Sequence, residues 1–140
     1  KYAGAQLTQS MVRRWKEEGS HVGDSGKEFM VDLSVEGKKQ HVDIGDLIRL
    51  ACNDLVPHIV EGLKKIVAGA DPEYQSALRN NIILAGGGSL IEDLADRVAQ
   101  QLADIGDVTV WCAEDPVVRV ADGALKLAAA MPDDMYTAIE

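Results

Sequence analysis

The chain has 140 residues, 46% hydrophobic and 26% charged, which is enough apolar content for one core-bearing domain. Its formal net charge of −9 argues against nucleic acid and against an anionic membrane surface as partners. No apolar stretch approaches the length of a membrane span and no signal-peptide pattern is visible, and the two widely spaced cysteines make a reducing cytoplasm the expected setting.

From the N-terminus, residues 8–18 predict a helix. Thr8 is placed to cap it, Leu7, Met11, Val12 and Trp15 recur at helical spacing, and Gly19 stops it. Gly23 to Gly26 reads as a loop. Residues 27–35 alternate, with Phe29, Val31, Leu33 and Val35 on one face and Met30, Asp32, Ser34 and Glu36 on the other, the pattern of a half-buried strand. Residues 36–39 turn and 40–43 return, giving a hairpin. Ile44, Leu47, Ile48, Ala51, Leu55, Ile59, Leu63 and Ile66 predict a long helix from Asp43 or Asp46 to about Ala68. Pro57 should kink or split it, because proline lacks an N–H and crowds the carbonyl four residues back. A short helix over 72–78 follows.

Residues 81–85 then read as a strand, 90–103 as a helix, 108–112 as a strand, 117–130 as the last helix and 131–140 as a loosely held tail. The second half is therefore a βαβα unit, which favours two parallel strands. So small a sheet expects partner strands from elsewhere in a parent protein, and its open edge invites pairing. The chain opens at Lys1 without a Met and reads as a piece of a longer protein.

The run Gly86-Gly87-Gly88-Ser89 sits at the strand-to-helix corner, with Ser89 as the expected helix cap. Glycines at such a corner let backbone N–H groups and a helix N-terminus approach a ligand closely. The corner fits neither the Walker nor the dinucleotide template. Arg13, Arg14, Lys16 and Glu17 share one helix, where pattern alone favours a solvated polar face over a grip on a ribose and its phosphate. His21, His41 and His58 fall in different elements without metal spacing and read as structural or surface groups. Cys52 and Cys112 suggest no metal knuckle or disulfide framework and read as buried thiols. Trp15 and Trp111 read as packing residues, and Asp133 and Asp134 as solvated tail charges.

Two segments together carry a family resemblance. Val12-Arg13-Arg14-Trp15-Lys16-Glu17-Glu18, with Val22 four residues on, resembles the actin helix whose Lys-Glu pair contacts nucleotide. Asn81 to Ile91, closing with Ala95-Asp96-Arg97, resembles the actin adenosine motif. Pro57 and the stretch from Val110 to Ala124 resemble bacterial actins of the MreB type. The combination of Arg-Arg-Trp-Lys-Glu with an acidic chain is similar to the magnetosome-filament branch.

The resemblance implies an α/β, actin-like ATPase fold of the ribonuclease H-like class. The chain would be domain II of that fold: residues 1–70 as subdomain IIB and 71–140 as part of IIA. It implies that Lys16 and Glu17 hold the ribose with Arg13 nearby. The backbone of Gly86, Gly87 and Gly88 would pass beside adenine and ribose, and Leu90 and Ile91 would pack on the base. The implied cofactor is ATP or ADP, with Mg²⁺ in the complete parent. The implied partners are further copies in a filament, the rest of the parent chain and magnetosome- or membrane-associated adaptors. This stretch alone would hold the nucleoside end only and would not hydrolyse ATP. A sugar or acetate kinase fragment, an Hsp70-type ATPase and a nucleotide-free interaction domain stand as alternatives on the same scaffold.

Overall fold

Alternation at residues 29–35 and helical spacing around it dictate two layers, and both form. The computed structural model describes residues 4–23, 26–132 and 135. The element order is β1 (Ala5–Gln6), α1 (Gln9–Gly19), β2 (Met30–Val35), β3 (Lys38–Asp43), α2 (Gly45–Asn53), α3 (Val56–Ala68), α4 (Pro72–Arg79), β4 (Ile82–Leu84), a 3-10 turn (Gly87–Leu90), α5 (Leu94–Leu102), a second 3-10 turn (Ala103–Ile105), β5 (Val110–Cys112) and α6 (Arg119–Ala130).

The hairpin forms with a tighter turn than expected. Val35 pairs with Lys38, and Glu36 and Gly37 both take positive φ (51° and 78°), the two-residue geometry that matches strand twist. β1 adds antiparallel to β2 through Ala5–Val35 and Gln6–Ser34. Nothing in Ala5-Gln6 signals a strand; its partner imposes it. Trp15, Val31, Leu33 and Ile44 form the core between α1 and this sheet.

The long helix splits, as proline requires, into α2 and α3. Pro57 lies in the first turn of α3, where its absent N–H costs no hydrogen bond. The split also rotates the buried stripe. Val56, Val60 and Val67 are buried, while Leu55 and Ile66 are exposed. A second core joins Val22, Cys52, Val56 and Val60 to Ile82, Leu94, Val98 and Leu102. Packing of α2 and α3 on α5 and β4 therefore runs across residue 70.

β4 and β5 pair in parallel, Ile82–Val110 to Leu84–Cys112, as the βαβα pattern predicts. Four expectations need correction. The helix after the glycines begins at Leu94 rather than Leu90, because Gly87–Leu90 tightens into a 3-10 turn and Asp93 takes a left-handed φ of 63°. Ser89 does not cap that helix; its hydroxyl donates to the Gly86 carbonyl at 2.8 Å inside the turn. Trp111 is 52% exposed, on a strand whose outer side has no layer over it among the described residues. Cys112 is exposed too, whereas Cys52 is buried. Asp133 and Asp134 lie outside the described residues.

Candidate functional site

Helix α1 starts where Thr8 Oγ1 accepts from the Met11 N–H at 3.3 Å, and its Trp15 face is anchored on the hairpin sheet. That anchoring fixes Lys16 in the last turn, on the side facing α2. The Ser20 hydroxyl donates to the Lys16 carbonyl and closes the helix end. On the other half of the molecule, β4 delivers the chain to Gly86, whose φ of 83° is open to glycine at little cost. The Gly86 N–H donates to the Pro116 carbonyl at 2.8 Å, so the glycine turn is pinned to the segment before α6.

These two places meet. A hollow of about 250 Å³ is lined by Lys16 and Ser20 on one side and by Gly87, Gly88 and Ile91 on the other. Ala51, Cys52 and Leu55 from α2 and the bend after it complete its lining. The hollow is largely apolar, with Lys16 supplying the cationic group. Gly87 and Gly88 have no left-handed φ, and a side chain built on either would meet nothing within 4 Å among the described residues. Neither backbone conformation nor internal packing accounts for glycine at these positions. Glycine there leaves the backbone of the turn open toward the hollow.

The other expected residues fall around this hollow rather than in it. Arg13 lines an adjoining hollow of about 400 Å³ with Leu7, Val12 and Lys16. Glu17 pairs with Arg13 at 2.8 Å one turn back, and that hydrogen bond, then the charge itself, raises the Arg13 pKa. Gly86 is half-buried behind the turn and Leu90 is 62% exposed, so of the two residues expected to cover a base Ile91 is the one that lines the hollow. Ser20, Ala51, Cys52 and Leu55 escape sequence reasoning. Their only signal is that Ala51 and Leu55 lie on the helical face that the continuous-helix reading assigns to the core, and that Cys52 reads as a buried thiol.

His21 is buried, with Nδ1 on the Gly19 carbonyl at 3.0 Å, a structural role as expected. His41 pairs with Asp32 on the exposed hairpin surface at 2.8 Å. No group of three or more His, Cys, Asp or Glu that could hold a metal ion gathers among the described residues.

With that geometry, comparison with known proteins is informative. Among solved structures, the MamK double helical filament superposes with a TM-score of 0.89 at 32% identity, covering 94% of this chain and 41% of that one. A non-polymerising MamK variant bound to AMPPNP gives 0.81 at 33% identity, covering 90% and 39%. The fold is thus that of an actin-like protein. The MreB/Mbl protein family profile matches residues 11–135, and the chain belongs to that family. The actin-like protein MamK of Paramagnetospirillum magneticum is 36% identical over 131 residues, 94% of this chain and 38% of the relative. The MamK of Magnetospirillum gryphiswaldense is 34% identical over the same length, covering 36% of that relative. The chain spans about two-fifths of the length of these proteins.

Proposed function

We propose that this chain is the nucleoside-gripping part of an ATP-dependent, filament-forming actin-like protein. The observation that carries the reading is the single hollow shared by Lys16 and the Gly87–Gly88 turn, although 70 residues separate them. Lys16 donates toward ribose or phosphate oxygens. Glu17, freed from Arg13, accepts from the sugar hydroxyls, with Arg13 alongside. The Gly86–Gly88 backbone lies against the nucleoside, and Ile91, with Leu90 beside it, covers the base. The hollow is smaller than the ~300–1,000 Å³ of a complete ligand site, which suits one wall of a cleft.

Residues 1–70 and 71–140 are then subdomain IIB and part of IIA, joined by the α2–α3–α5 core. Bound nucleotide supplies the energy difference between assembled and disassembled states. The remaining phosphate contacts, Mg²⁺ and hydrolysis belong to the rest of the polypeptide. Further copies of the chain are the principal partner, in a cytoplasmic cytoskeleton. Attachment to magnetosomes or membrane adaptors is the finer reading and rests on the resemblance to MamK alone. The test is titration of a fluorescent ATP analogue into the complete protein carrying Lys16→Ala or Gly87→Asp. Both should weaken binding tenfold or more, Lys16→Ala by the loss of one charge-assisted contact and Gly87→Asp by setting a bulky carboxylate against the nucleotide. Unchanged affinity in both would remove the site.

A further inference from the structure

The two walls of the hollow belong to segments far apart in sequence, so something must set the distance between them. Three bonds do so, and all converge on Glu92. Its N–H donates to the Ser20 carbonyl at 3.1 Å, and its own carbonyl accepts from the Val22 N–H at 3.1 Å. Its carboxylate accepts from Lys27 Nζ at 2.5 Å. Ser20 lines the hollow and its hydroxyl closes on Lys16; Ile91, the neighbour of Glu92, also lines it, and its N–H donates to the Gly88 carbonyl at 3.3 Å. A continuous bonded path therefore runs from Lys16 through Ser20, Glu92 and Ile91 to Gly88.

Lys27 brings in the third wall. Its carbonyl presses on the start of α2, where a side chain at Gly45 would come within 2.1 Å of it. Helix α2 carries Ala51 and Cys52 to the hollow. The Lys27–Glu92 pair thus ties the α2 wall to the glycine wall, while the backbone bonds tie the glycine wall to α1. Lys27 holds the Glu92 carboxyl below its ordinary range through this bond and its charge, with a smaller contribution from His21.

We infer that Lys27 and Glu92 are positioning residues for the nucleotide hollow: they touch no ligand, and their ion pair fixes the spacing of its walls. This rests on the proposed nucleotide site. The pair is about half exposed (53% and 55%), so its effect is bounded by that of a surface ion pair, about two- to fivefold in affinity.

The experiment measures affinity for a fluorescent ATP analogue in the complete protein, at low salt and at about 1 M salt, where the screening length shrinks to about 3 Å. The variants are Glu92→Gln, Lys27→Met, their combination, and the exchanged pair Lys27→Glu with Glu92→Lys, each with a thermal melt. Each single change should weaken binding about two- to fivefold at low salt. The combination should be no weaker than either, the exchange should recover affinity, and high salt should erase the differences. Wild-type affinity in both single variants overturns the inference, as do additive losses or failure of the exchange with an unchanged melt. If Lys16→Ala and Gly87→Asp weaken binding while the Lys27 and Glu92 variants do not, only the positioning role falls. If none of the variants changes affinity, the site falls with it.

Discussion

At the residue scale, Asp43 shows how one side chain can organise a junction. Its Oδ1 accepts from the Gly45 N–H at 2.9 Å and the Phe29 N–H at 2.8 Å, tying the start of α2 to the hairpin. These bonds, that from Gly45 foremost, lower its pKa. A carboxylate with a depressed folded pKa contributes stability that is full above the unfolded value of about 4 and is lost as pH falls through the folded value. Asp43→Ala should therefore lower the melting temperature at neutral pH, and the gap from wild type should close in melts taken progressively below about pH 4. Gly45 is fixed by the same junction. Gly45→Ala would drive a methyl into the Lys27 carbonyl, and denaturant unfolding should register a loss of about 1–3 kcal/mol, the usual cost of overpacking.

At the element scale, the helices divide into those with buried side chains and two, α4 and α6, with none. Leu102 on α5 is fully buried, so Leu102→Ala should cost about 2–5 kcal/mol in denaturant unfolding. Leu125 on α6 is 69% exposed, and Leu125→Ala in the isolated chain should stay within about 0.5 kcal/mol. Pro57 separates two readings of its helix. In a helix interior, replacing proline would relieve about 3 kcal/mol, but in the first turn of α3 Pro57→Ala should change stability by less than about 1 kcal/mol. The elements legible in sequence are those whose pattern is local. The alternation from Phe29 to Val35 shows the hairpin, and Pro57 shows the break. Elements defined by a partner are not legible. β1 exists because Val35 and Ser34 offer it an edge, and α5 starts late because Asp93 turns left-handed after an apolar run that reads as helix.

At the scale of the whole molecule, the site is less legible than the fold. Spacing alone could not bring Lys16 to Gly87, and a solvated polar face remained the simpler reading of α1. Only the family pattern joins the two segments, and the hollow adds Ser20 and Cys52, which no motif marks, and Ala51 and Leu55, which the helical pattern assigns to the core. The proposed function makes a further prediction here. The complete protein should pellet and show filaments in electron micrographs with ATP, and Gly87→Asp should raise the nucleotide concentration needed for half-maximal pelleting about tenfold, in line with its loss of binding. Filaments that form equally well without nucleotide, or a chain that instead phosphorylates a small sugar or acid, would falsify that reading.

The outer surface of α6 has its own consequence. Val117, Val118, Val120, Leu125 and Leu127 stand half or more exposed along one terminal stretch, and no side chain of the helix is buried. Handled as these 140 residues alone, the material should behave like a mild surfactant: adsorbing to plastic, lighting up a dye such as ANS, and staying dispersed only with a little detergent.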